Sequence, residues 1–228
     1  MTDIHPRVSS RGEQTRERIL DTALELFRER GYEATTMRVI AAAAGVAVGN
    51  SYYYFPSKEH LVQAFYSRIQ KTQIEAATPL LWKEKSLRAR LRLHLHERVH
   101  GLTPYHAVSG TLFRSAADPQ SPLSPFSAES GPTRRASVAF MREVIDGSSA
   151  RIPHDVAPSL PHILWLYEVG VVAFWVHDQS PQQQRTHELI DDSTDAIVRL
   201  LSLANLPGLR AIRKKMLRWV ADLVKDDL

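Results

Sequence analysis

The sequence predicts an all-α protein, and three observations predict it. Over 228 residues no run alternates apolar and polar side chains long enough to argue for a strand. Apolar residues recur instead at three- and four-residue intervals, the spacing that lines one face of a helix. Between these stretches stand clusters of Pro, Gly and Ser, such as DPQSPLSP, that end one helix and begin another.

The first helix is expected from about Gln14 to Arg30, with Ile19, Leu20, Ala23, Leu24 and Phe27 as its buried stripe and Gly31 as its stop. Residues 36–58, TMRVIAAAAGVAVGNSYYYFPSK, then read as two short helices joined by a tight turn. In the first of these Val39, Ile40, Ala43 and Ala44 share a face, and the hydroxyls of Thr35 and Thr36 can cap its start. Gly45 breaks it, because glycine tolerates the positive φ that a sharp turn between two such helices needs. The second runs from about Val48 to Tyr54. It must end near Phe55, since Pro56 disfavours helical geometry in the residue before it, and Ser57 can cap the helix that follows.

The composition of that second helix points to DNA. Gly49, Asn50 and Ser51 make it poor in intrinsic propensity, so its neighbours must hold it. The lack of bulk at Val48, Gly49 and Asn50 lets its start enter a major groove, where Asn50 can meet base edges. At about a hundred degrees per residue, Tyr52, Tyr53 and Tyr54 cannot all face inward, so at least one phenol points out toward phosphate. Lys58 places a positive charge beside amide donors that already favour an anion. The competing reading takes YYYF as a core cluster, which suits Phe55 and one of the tyrosines.

Charge placement agrees with an anionic partner. The net charge is +4, but between Ala34 and Lys58 the only charged residues are Arg38 and Lys58, so no acid there repels phosphate. Glu17, Asp21, Glu25, Glu29 and Glu33 sit upstream as a solvated helix face. Arg7 and Arg11 lie in a Ser- and Gly-containing tail that either reaches into a minor groove or serves as a solubilising arm. The DNA contacts expected from these patterns are Thr36, Arg38, Val48, Gly49, Asn50, Tyr52, Tyr53 and Lys58.

Residues 15–65 resemble the amino-terminal domain of TetR-type transcriptional regulators. LELFRERGYEATT, AGVAVGNSYYYF and FPSKEHL carry the resemblance. It implies a three-helix helix-turn-helix DNA-binding domain over residues 1–60 and a larger helical effector-binding and dimerisation domain over 61–228. The family usually has Ser or Thr and then a polar residue where this chain has Ala47 and Val48, and Thr and Leu where it has Asn50 and Ser51. Operator preference should therefore differ while the fold does not.

A long helix should run from Lys58 to about Ala77, stopping before Pro79, and the resemblance makes it a lever between the domains. Further helices are expected at about 83–100, 104–117, 124–148, 159–178, 182–204 and 207–225. ILWLYEVGVVAFWV, residues 163–176, is short for a membrane span and carries Glu168 in its middle, so it reads as a helix buried on all sides. One domain of this size seldom covers such a helix without a partner, and Gly170 and Ala173 allow close approach. By resemblance this helix and the next pair with their copies in a twofold dimer, through Gly170, Ala173, Phe174, Ile197 and Leu200, and a twofold dimer requires a palindromic operator in double-stranded DNA.

Aromatic residues of the second domain suit a site for a small, largely apolar effector of unknown identity, for which Trp82, Phe113, Phe140, Trp165 and Glu168 are candidates. A lone carboxylate in an apolar helix needs a partner, which can be a histidine, a second subunit or a ligand cation. His96 and His100 stand four apart, a spacing that can ligate metal, although an exposed or pocket-lining pair is the simpler reading. The chain has no cysteine, which removes disulfides, thiolate zinc sites and cysteine nucleophiles and suits a reducing cytoplasm. No nucleophile elbow, phosphate loop or HExxH pattern is present, so no enzyme, cofactor or metal is expected. The polar amino terminus lacks the apolar core of a secretion signal.

Overall fold

The computed structural model describes residues 11–203 together with Leu217 and Arg218. The described residues are helical with no strand, and the chain divides into two compact units, one up to Tyr66 and one from Ser67. The expected helix at 207–225 and the basic arm at Arg7 lie outside the described residues, apart from a helical turn at Leu217 and Arg218.

In the first unit, α1 (Arg11–Arg30) buries Ile19, Leu20, Ala23, Leu24, Leu26 and Phe27. Gly31, at φ +82°, ends it, and its N–H returns to Phe27 O at 3.0 Å. α2 (Met37–Ala43) is capped by Thr36, whose Oγ1 accepts from Val39 N–H at 3.3 Å. Thr35 has a different task. Its buried hydroxyl donates to Gly31 O at 2.8 Å and satisfies the end of α1. The buried face of α2 is Met37, Ile40 and Ala41, continued by Ala44, whereas Ala43 is exposed and Val39 half-buried. The inward stripe is thus rotated by about one residue from the expected one, with the long apolar Met37 buried and the small Ala43 left outside.

Gly45 adopts φ +64° and turns the chain into α3 (Val48–Tyr54). The short α3 is held by its neighbours. Ser51 is fully buried and spends its hydroxyl on Val48 O at 2.7 Å, and Phe55 at the C-cap is 2% exposed beneath the Arg16 guanidinium at 4.8 Å. α4 (Lys58–Leu81) follows and passes from the first unit into the second. It continues through Pro79, beyond the expected stop at Ala77. A proline in a last turn removes one hydrogen bond from a helix that ends two residues later anyway.

The second unit contains α5 (Leu87–Leu102), α6 (His106–Ala117), α7 (Gly131–Asp146), α8 (Leu160–His177) and α9 (Gln184–Leu203). Its core joins Ala77, Leu81, Leu87, Leu91, Phe140, Met141, Val144, Leu160, Leu164 and Trp165. At one edge Arg90 is 4% exposed and donates to the carbonyls of Val144 at 2.7 Å, Glu143 at 2.8 Å and Leu81, so one guanidinium caps the C-terminal ends of α4 and α7. α7 begins at Gly131, seven residues later than expected. Serines 121, 124, 127 and 130, three apart, build successive turns whose side chains compete with a helix, as where Ser127 Oγ donates to Pro122 O at 2.8 Å.

Candidate nucleic-acid interface

Hydrophobic packing decides which way α2 and α3 face. Because Met37, Ile40, Ala41, Ser51 and Phe55 turn inward, Thr36, Arg38, Val48, Gly49, Asn50, Tyr52 and Tyr53 are left on the outside. Tyr53 is 80% exposed and Tyr52 50%, an unusual position for large rings that a core reading does not explain. Tyr54 is half-buried and packs edge-on against Tyr53 at 5.1 Å, so the inward tyrosine is Tyr54. No atom lies within 4 Å of where a Gly49 side chain would begin, which leaves the outer face of α3 open.

Lys58 is less free than its sequence position implies. Its Nζ donates to Tyr32 O at 2.9 Å and lies 4.2 Å from the centre of the Tyr32 ring. The Tyr32 hydroxyl in turn donates to Glu59 Oε1 at 2.9 Å. Burial, the Glu59 bond and nearby carboxylate charge push the phenol well above its usual range. The ammonium retains two donors, and its anchoring ties the start of α4 to the turn between α1 and α2.

One group of residues was not singled out from sequence. Arg11, Gln14 and Arg18 line a polar recess together with Gly45 and Asn50. Positions 11, 14 and 18 follow the three-and-four spacing of a helix face, but the stripe is polar, and a polar stripe marks a solvated face equally well.

The other candidates scatter. Trp82 follows the last residue of α4 and is 76% exposed, so it stands on the surface where a pocket position was expected. Phe140 and Trp165 are core residues, edge-on to His94 at 5.1 Å and to Phe126 at 5.6 Å. Phe113 is half-buried against His177. Glu168 has its partners within the chain: His94 Nε2 is 3.4 Å from one oxygen and Arg98 Nε 2.9 Å from the other. Burial alone would raise this carboxyl, but the His94 hydrogen bond and the Arg98 charge outweigh it and hold it below the usual glutamate range. His96 turns toward His187 and Asp191 while His100 is exposed, and among the described residues no three potential ligands gather for a metal.

α8 is not buried all round within this chain. By length and composition it could cross a membrane, yet half of it is covered by the fold. Gly170 and Phe174 stand exposed, with Ile163, Leu166 and Ala173 half-covered beside them. On α9 Leu200 is 65% exposed, whereas Ile197 rests partly against the core of its own unit.

Two short helices set about a positive-φ glycine, braced by α1, define a helix-turn-helix protein. The description "Bacterial regulatory proteins, tetR family" matches residues 19–65, and "Tetracyclin repressor-like, C-terminal domain" matches residues 90–225. The chain belongs to the TetR family of transcriptional regulators, which are not enzymes. Among curated relatives it is similar to the HTH-type transcriptional repressor KstR of Rhodococcus jostii, 48% identical over 60 residues, 26% of this chain and 28% of that protein. KstR of Mycobacterium tuberculosis is 45% identical over 65 residues, 28% of this chain and 29% of that one. The matched region spans under a third of these repressors' length. Among solved structures, a TetR regulator from Rhodococcus sp. RHA1 aligns over 87% of this chain and all of its own, with TM-score 0.62 and 22% identity. Thermus thermophilus FadR, solved in complex with lauroyl-CoA, aligns over 77% and 92%, with TM-score 0.55 and 22% identity. These likenesses show the fold.

Proposed function

We propose that this chain is a homodimeric, cytoplasmic transcriptional repressor that reads a twofold-symmetric operator through α3 and releases it when a small, largely apolar effector binds the second unit. The observation that supports this best is the outer face of α2 and α3. It carries Arg38, Asn50, Tyr52 and Tyr53 exposed, no acid, and a bare backbone at Gly49 where a groove wall can approach. Asn50 is the reader of base edges; Arg38, Tyr52, Tyr53 and Lys58 hold phosphate, and Thr36 adds a hydroxyl beside them. Arg11, Gln14 and Arg18 extend the anionic track on the side of the recess that Asn50 also lines.

Dimerisation rests on the uncovered apolar stripe of α8 with Phe174 and on Leu200 of α9, which a second copy would bury. The effector reading draws on the regulator fold shared with the lauroyl-CoA-bound FadR. It requires a ligand with unequal affinity for the DNA-competent and released conformations, with α4 carrying the change.

Titration of duplex DNA at several salt concentrations tests the assignment. Lys58→Ala should weaken binding to every sequence and reduce the salt slope by about 1, while Asn50→Ala should relax sequence preference and leave the slope in place. An unchanged slope in the first variant removes Lys58 from the interface.

A further inference from the structure

α5 and α9 meet along a polar seam, and the centre of that seam is a hydrogen-bonded chain of three side chains. His96 Nδ1 and His187 Nδ1 lie 2.7 Å apart, with ring centroids 5.0 Å apart and ring planes inclined by 18°, and His96 Nε2 lies 3.2 Å from Asp191 Oδ1. The carboxylate only accepts, so His96 Nε2 carries a proton. Neutral His96 therefore offers a lone pair at Nδ1, and His187 Nδ1–H donates to it. A single added proton fits this arrangement, because an imidazolium on either side can still donate to a neutral ring on the other. A second does not. Two imidazolium rings would point N–H at N–H across 2.7 Å with like charges edge to edge.

We infer that the Asp191–His96–His187 chain is a proton-gated latch between α5 and α9, closed with one or no added proton and forced open by the second. The groups facing His187 fix the direction of its response. His96 and His100 on α5 oppose its charge, and Asp191 on α9 and Asp178 ahead of α9 favour it. Burial acts first and in the same sense as His96, and the imidazole is held below its ordinary value of 6.5. The rest of the seam is ion-paired. Arg88 pairs with Asp195 at 3.0 Å, and Arg92 with Asp195 at 2.9 Å and Asp191 at 3.1 Å, so α9 remains tied at Asp195 while its N-terminal turns are released. Since Leu200 on the same helix belongs to the proposed dimer surface, acid opening should also loosen dimerisation. That consequence rests on the dimer reading; the latch itself does not.

The test is an NMR titration of the His187 ring in the intact protein between about pH 5 and 8, with amide exchange of residues 184–191 followed in parallel. In the native protein His187 titrates below 6.5 as the second ring of the pair to charge, and the protection factors of residues 184–191 fall with that second proton. His96→Gln removes the opposing charge and moves the His187 midpoint upward; Asp191→Asn removes the favouring charge and moves it downward. A midpoint at or above 6.5, or one that both substitutions leave in place, overturns the latch. So do protection factors of residues 184–191 that stay constant through the titration. All of these readings come from within one protomer, so a protein that proves monomeric would sink the dimer reading and leave this result standing.

Discussion

At the scale of single residues, burial and exposure separate side chains that the sequence left equivalent. Tyr52, Tyr53 and Tyr54 are identical letters in a row, yet only Tyr54 turns inward, because Ser51 and Phe55 occupy the buried positions of α3. Glu168 was legible as a carboxylate in need of a partner; its partners were not, since His94 and Arg98 lie some seventy residues upstream on another helix. Removing one member of a buried pair strands the other, so Glu168→Ala should cost about 3 kcal/mol in denaturant unfolding. The pH dependence follows from the depressed carboxyl. Its contribution is fully present above the unfolded-state value of 4.5 and is lost as pH falls through the lower folded-state value. The stability difference between the native protein and Glu168→Gln should therefore shrink as pH falls below 4.5; a difference that stays constant would remove the ionised pair from the account.

At the scale of elements, helices were legible where capping and periodicity agree and illegible where local side-chain chemistry intervenes. α1 and α3 fall close to their expected limits, fixed by Gly31, Gly45 and Pro56, each of which acts through its own backbone restriction. The start of α7 was missed because the apolar pattern around Leu123 and Phe126 looks helical while the interleaved serines bond their own turns. Two glycines make opposite predictions. At Gly45 nothing lies within 4 Å of an added Cβ, so Gly45→Ala should cost only the left-handed backbone penalty, about 1–2 kcal/mol, and lower DNA affinity by misplacing α3. At Gly147 the backbone is ordinary, but an added Cβ would come within 2.3 Å of Arg90 Nη2. Gly147→Ala should thus displace the guanidinium from the ends of α4 and α7, and thermal unfolding should show a loss that Gly147→Ala in an Arg90→Ala background does not repeat.

At the scale of the whole molecule, the account is a paired DNA reader, and it joins an exposed α3 in one unit to an apolar surface in the other. The likeness to known structures covers most of the chain, while the likeness in sequence to curated repressors covers a third of it or less. This is expected if the DNA-reading helices keep one packing problem and the second unit answers to its own ligand, and it is why the site was legible at residues 36–58 and barely legible beyond Trp82. Phe174→Glu should place a charge in the proposed α8 contact and convert the protein to a monomer by sedimentation, with weakened operator binding. The most direct measurement of the central claim is selection of duplexes from a randomised pool by the intact protein, followed by sequencing. The account predicts enrichment of one inverted repeat whose halves are centred about one helical turn or a multiple of it apart, lost when Asn50 and Tyr53 are replaced by alanine. Recovery of unenriched DNA, or of a site that the doubly substituted protein selects equally well, would contradict it.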